Sequence, residues 1–230
     1  MKKLDKSEIE KLYTFTRTHY VEWYDVQTEL VDHLANGIES QWKKNSSLVF
    51  DDALNIEFKK FGIFGFSELV ENKEKALHKY YRNLVFKELK RHLKLPNLFL
   101  IMLSVYALKA LLNVFENKDY VTITFILLIL VYSSFHLYKA KKTIKNRYKT
   151  TGKKWLFDVS IMQLGGFIHL SFLLIQIPNF KDYLMLQTNI GGLVFSIVFV
   201  SYIMIIYISS CVVPKIIEEN MKKRYQDLYF

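Results

Sequence analysis

The side chains with the greatest capacity for chemistry lie in one stretch, WYDVQTELVDHLANGIESQW, residues 23–42. Drawn as a helix at about 100° per residue, this stretch has an apolar face that runs through Leu30, Leu34 and Ile38. Its polar side chains form a stripe along one border of that face: Glu22, Asp25, Glu29, His33 and Asn36, with Asp32 beside them. A carboxylate and an imidazole one turn apart, as in Glu29 and His33, are able to share a divalent ion or to pass a proton.

Three interpretations of this acidic stripe stay open. A metal site would need a second set of ligands, and di-metal helical bundles commonly use Glu-x-x-His at i, i+3, whereas the spacing of Glu29 and His33 is i, i+4. A solvated Glu29–His33 pair would contribute only about 0.2–0.5 kcal/mol. A docking ridge would pack on another helix or on a partner protein. We predict no metal and no cofactor, and we assign partner docking to Trp23, Asp25, Glu29, Asp32, His33, Asn36 and Trp42.

Long apolar runs follow this stretch, and a spanning helix needs about 20 mostly apolar residues. The sequence therefore predicts an all-α, polytopic membrane protein with four transmembrane helices and an N-terminal cytoplasmic helical bundle. The domains are expected at residues 1–95 (the head), 96–213 (the spans) and 214–230 (a cytoplasmic tail). The four spans are expected at 96–115, 120–138, 155–177 and 184–213.

Charge predicts how the spans are oriented. Residues 1–95 hold 17 Lys/Arg and 15 Asp/Glu, whereas the remaining chain holds 15 Lys/Arg (32 − 17) and 7 Asp/Glu (22 − 15). This excess lies in the segment 139–154 and in the tail, and basic segments stay in the cytoplasm. We therefore expect a multi-pass protein of the bacterial inner (cytoplasmic) membrane with both termini inside. Because the excess flanks apolar runs, it argues against nucleic acid as the partner.

The basic segment 139–154 also suits anionic lipid headgroups, at about 1 kcal/mol for each Lys or Arg near the surface. The alternative is that these charges only set orientation. The residues assigned to lipid contact are Lys139, Lys141, Lys142, Lys145, Arg147, Lys149, Lys153 and Lys154.

Polar and small residues within the predicted spans have expected roles in packing. The glycine pairs Gly165–Gly166 and Gly191–Gly192 allow helices to approach closely. Gln163, His169 and Gln176 are the intramembrane polar residues, and they either serve a function or hydrogen-bond between helices. Cys211 is expected to be a small buried hydrophobe.

The head is expected to be helical throughout, because residues 5–95 lack proline and show no alternating strand pattern. Ser7 and Glu10 have the spacing of a capping box, which predicts a helix start at Ser7. Pro96 should mark the joint to the first span, since proline disfavours a helical conformation in the residue before it.

YDVQTELVDHLANGIE, followed by SLVFDDALNIEFKKFG, resembles a pattern in uncharacterised four-span membrane proteins of Bacteroidota. More distantly it is similar to the HAAS-type cytoplasmic helical domain, which precedes transmembrane spans and is associated with PadR-like regulators. The match covers roughly residues 5–77 and departs at the corner FGIFGFSELV, which replaces the family's usual ending. The resemblance implies a regulatory or scaffold head on a membrane anchor and implies no catalytic residues.

The sequence lacks a nucleotide loop, a Ser/His/Asp set and an HExxH motif. We therefore predict a non-enzymatic regulatory or scaffolding protein whose head docks a protein partner or self-associates, with no small-molecule substrate evident. The alternative is an accessory subunit of a transport or secretion complex, in which the spans make the main contacts.

Overall fold

The helices account for all regular structure in the part of the chain that the computed structural model describes, which is residues 2–115, 118–164 and 188–225. No strand occurs in these ranges, so the all-helical fold class is confirmed for them. Their bounds are α1 Lys6–Thr18, α2 Tyr24–Lys44, α3 Phe50–Lys59, α4 Ser67–His92, α5 Asn97–Val114, α6 Lys118–Thr151, α7 Leu156–Leu164, α8 Asn189–Tyr207, a π-helical segment Ile208–Val212, and α9 Val213–Arg224.

The first helix begins earlier than the sequence predicts. Asp5, not Ser7, is the N-cap of α1: its side chain accepts from the Glu8 N–H at 2.7 Å, and the Glu8 side chain accepts from the Asp5 N–H at 3.0 Å. The prediction at Ser7 is wrong because the chain offers two caps with the same spacing to a glutamate, and aspartate caps a helix as well as serine does.

The chain divides into two compact units. The first, which we call the head unit, comprises Met1–Lys79 and Gly152–Ser160. In it α2 packs against α1 and α3. The predicted apolar face of α2 is buried: Val26, Leu30, Val31, Leu34, Ile38 and Trp42 all belong to the core. Leu156, from the second piece of the head unit, belongs to the same core.

The second unit comprises Tyr80–Thr151 and Ile161–Phe230. In it α5 packs along α8, with Leu108, Leu112, Ile129, Phe195, Phe199 and Ile206 in a shared core. Three of its helices are long and apolar enough to cross a membrane: Asn97–Val114, Ile123–Thr151 and Asn189–Lys223. They coincide with the first, second and fourth predicted spans, whereas most of the predicted span 155–177 lies outside the described residues.

The helix of the predicted second span does not stop at Tyr138. It continues to Thr151, so 13 residues of the basic segment extend α6 by about 20 Å. At the other end of this unit, Pro214 lies within a helix that runs from Asn189 to Arg224. A proline ring clashes with the carbonyl four residues before it, and the wider π turn at Ile208–Val212 relieves that clash.

Candidate functional site

The acidic stripe of α2 is the candidate site, and its N-terminal half is engaged by the second piece of the head unit. The Lys154 ammonium lies 2.7 Å from a Glu22 carboxylate oxygen. The backbone continues this contact, because the Tyr24 N–H donates to the Lys154 carbonyl at 2.7 Å. Residues about 130 positions apart in the chain therefore meet at the first turn of α2.

Asp25 caps a helix other than its own. Its Oδ1 accepts from the backbone N–H of Leu156, the first residue of α7, at 3.0 Å. Burial raises the pKa of this carboxyl, and hydrogen bonds from backbone N–H groups, those of Leu156 and Phe157 among them, act in the opposite direction. The site thus holds a partly buried acid whose acceptor oxygens satisfy N–H groups that a helix start leaves open.

Aromatic contacts surround this cap. Trp155, Leu156 and Phe157 are each 1% exposed. The Trp155 ring meets the Tyr24 ring edge to face, with centroids 5.3 Å apart. The Lys153 ammonium lies over the same Tyr24 ring, 3.8 Å from its centroid. Burial lowers the pKa of Lys153. Tyr24 therefore receives both a ring and a cation from the same short segment.

Farther along α2, Glu29 pairs with Lys73 of α4 at 2.5 Å. The carboxylate thus reaches across to another helix, and no ion pair between Glu29 and His33 is formed. His33 contacts the Phe61 ring, with centroids 5.7 Å apart.

The C-terminal half of the stripe is open. Asp32, His33 and Asn36 are exposed, and the side chains of Asp32 and Asn36 make no hydrogen bond or ion pair to any residue in the described ranges. The tryptophans differ from the prediction. Trp42 is 3% exposed and donates from its indole nitrogen to the Leu48 carbonyl at 3.0 Å, so it is a core residue and not part of an accessible docking surface. Trp23 is half-buried against the same core.

The predicted lipid contacts fall into two groups. Lys139, Lys141, Lys142, Lys145 and Lys149 are exposed along α6, and Arg147 is half-buried there. Lys153 and Lys154 belong to the head unit and contact Tyr24 and Glu22. The prediction of lipid contact is therefore better founded for the residues on α6.

Several predicted residues lie outside the described part of the chain, namely Gly165, Gly166, His169 and Gln176, and nothing is described for the Gln163 side chain. Gly191 and Gly192 open α8, where Thr188 caps the helix by accepting from the Gly191 N–H at 2.9 Å. No described atom lies within 4 Å of the point where a Cβ on Gly192 would stand.

The sequence reasoning missed a polar cluster in the second unit. The Cys211 sulfur, in the π segment, lies 3.5 Å from His136 Nδ1 and 3.4 Å from the Tyr132 hydroxyl. This contact could not be predicted, because the sequence does not show which helices are neighbours. Within the described residues, no three His, Cys, Asp or Glu side chains are grouped as metal ligands would be.

Within the described residues the chain is all-helical, with three helices that could span a membrane and a helical bundle that carries the acidic stripe. No protein-family model matches this chain, and comparison with curated proteins and with solved structures gives no match either.

Proposed function

We propose that this chain is a non-enzymatic integral membrane protein, regulatory or scaffolding in role, whose helical head docks a protein partner. Its membrane is the bacterial inner membrane, with both termini in the cytoplasm. The observation that carries the proposal is that one half of the acidic stripe is occupied and the other half is exposed. Its first half already holds segments of the same chain, and its second half presents Asp32, His33 and Asn36 to solvent.

The occupied positions indicate the chemistry of the partner. Glu22 and Glu29 hold lysine ammonium groups, and Asp25 holds backbone N–H groups. The occupied half of the stripe thus binds cations and the first N–H groups of a helix. The partner that fits the open half therefore presents basic residues on a helix. Complementary charge across such an interface speeds association and excludes acidic competitors.

Apolar surface next to the open half supports the same proposal. Phe61, which contacts His33, leads into a turn in which Ile63 and Phe64 are 95% and 69% exposed. Gly62 and Gly65 flank this pair with φ values of +72° and +54°, which the turn requires and which other residues rarely adopt. Exposed apolar residues beside polar ones are typical of protein-binding surfaces.

The proposal is tested by site-specific photo-crosslinking. A photoreactive residue at position 36 of the full, tagged chain is irradiated in native membranes, and the adduct is purified in a gentle detergent. One adduct of fixed mass is expected. Asp32→Lys should reduce its yield at least about tenfold, since like charges across an interface cost several kcal/mol.

Glu10→Lys is the matched control, because it makes the same charge reversal at an exposed position of α1. It should leave the adduct unchanged. Loss of the adduct in both variants, or its persistence in both, would contradict docking at the stripe. If the same partner co-purifies with the tagged chain, without crosslinking, as well after deletion of residues 1–79 as before, the spans make the contacts and the accessory-subunit alternative is favoured.

A further inference from the structure

The residues 152–158, which we call the strap, lie in the second piece of the head unit; 152–155 connect α6 to α7, and 156–158 begin α7. We propose that the first turn of α2 is a docking site for a Lys–aromatic segment that opens a helix, and that the strap fills this site in the same chain, so that the head holds the first turn of α7. The proposal is independent of whether a partner binds the open half of the stripe.

The site recognises its occupant by three different chemistries at neighbouring positions. Glu22 provides an anion for Lys154 at 2.7 Å. Tyr24 provides a ring face for the Lys153 ammonium at 3.8 Å. Asp25 provides an acceptor for the first N–H of α7 at 3.0 Å. The three recognising residues lie within four positions, from Glu22 to Asp25, where the chain enters α2.

The strap also completes the core of the head unit. Trp155, Leu156 and Phe157 are each 1% exposed, and Leu156 belongs to the same hydrophobic cluster as Leu30 and Leu34 of α2. Their burial indicates that the α2 surface is shaped for this segment.

The joints on either side of the strap are short. α6 ends at Thr151, Gly152 turns the chain with φ +64°, and α7 begins at Leu156. In the segment between the two helices, a β-bridge joins the backbone of Lys154 to that of Trp23. Because so few residues separate the two helices, a strap that is held by α2 also fixes where α7 starts.

The first test is a disulfide trap in the full chain, reconstituted in lipid. Cys211 is replaced by serine, since it is the single cysteine of the chain, and Glu22→Cys and Lys154→Cys are introduced together. Mild oxidation should link the two positions within one molecule, as mass spectrometry of the digested peptides would show. A link that forms only between differently tagged copies, or no link at all, would overturn docking in the same chain.

The second test measures amide hydrogen exchange at residues 156–158, without any added partner. Asp25→Ala should speed exchange there about fivefold, the effect expected from loss of one helix cap. Asp25→Asn keeps an acceptor oxygen and should stay near wild type. Asp32→Ala, on the open half of the stripe, should have no effect.

Exchange in α3 serves as the folding control for all three variants. Faster exchange at 156–158 in Asp25→Ala, with exchange in α3 unchanged, supports docking of the strap on α2. Equal exchange in Asp25→Ala and wild type would overturn it, whatever the outcome of the partner experiment at Asn36.

Discussion

Gly37 shows how one residue at the α2–α3 contact is constrained. The Glu57 side chain of α3 lies so close that a Cβ on Gly37 would collide with its carboxylate. That carboxylate is 3% exposed and is held by Gln41 at 2.8 Å and by Lys60 at 2.6 Å. The glycine therefore makes room for a buried, hydrogen-bonded acid.

We expect Gly37→Ala to lower the free energy of unfolding by about 1–3 kcal/mol, because overpacking outweighs the gain of about 1 kcal/mol that alanine normally brings to a helix. Thermal unfolding of the detergent-solubilised chain measures this. Gly192→Ala is the matched control and should be neutral or stabilising, since no described atom is near its Cβ position. In the double variant with Glu57→Ala, most of the loss from Gly37→Ala should disappear, and additive effects would contradict the collision.

Glu57 also predicts a pH dependence. Burial raises the pKa of its carboxyl, but hydrogen bonds from Lys60 and Gln41 and the charge of Lys60 outweigh burial, so that the pKa is lowered from 4.5. A carboxyl with a lowered pKa in the folded state stabilises the fold above its unfolded value. This contribution should be lost as the pH falls below 4.5 and through the lowered pKa. The free energies of unfolding of wild type and Glu57→Gln, measured from pH 7 to 3, should converge at the acid end. A constant difference over this range would contradict the role given to the Glu57 carboxylate.

At the scale of elements, α2 shows what the sequence alone predicts well. Its apolar residues recur with helical spacing, and the structure buries the face that this spacing predicts, Leu30, Leu34 and Ile38 included. Periodicity reports the local conformation and the side that turns inward. It does not report what lies beside the polar border, which is why Lys73 was not foreseen as the partner of Glu29.

The strap shows why the rest could not be predicted. Trp155 and Phe157 have the composition of a membrane-helix start, and hydropathy assigns them to a span. Their burial in the head unit depends on Asp25 and Tyr24, about 130 residues away in sequence. A single sequence does not show such a long-range contact, because the hydropathy of the neighbouring residues already accounts for each of these side chains.

The cap on α7 gives a prediction at this scale. Asp25→Ala should destabilise the head unit by about 0.5–2 kcal/mol, the usual cost of losing an N-cap. Asp25→Asn should cost less or stabilise, because asparagine caps as well as aspartate and burial no longer disfavours a charge. Chemical denaturation followed by the tryptophan fluorescence measures both, and an Asn variant as unstable as the Ala variant would contradict the capping role.

At the scale of the whole molecule, the topology depends on whether the chain crosses the membrane an even or an odd number of times. α6 ends in a basic stretch, and the helix Asn189–Lys223 also ends in basic residues. If both basic ends face the cytoplasm, as the positive-inside rule requires, α8 starts on the far side of the membrane. The prediction of four spans places one further crossing between the basic end of α6 and the start of α8, within 155–177. The structure describes three helices that could span, so this fourth crossing stays a prediction.

Reporter fusions test this parity. A green fluorescent protein, which matures only in the cytoplasm, should fluoresce when fused after Lys149 or at the C-terminus and stay dark after Asp182. Alkaline phosphatase, which is active only outside, should give the opposite pattern at the same three points. A C-terminus that is active with phosphatase would leave an odd number of crossings. The basic tail after Pro214 would then lie outside, and both the four-span topology and a cytoplasmic C-terminus would have to be abandoned.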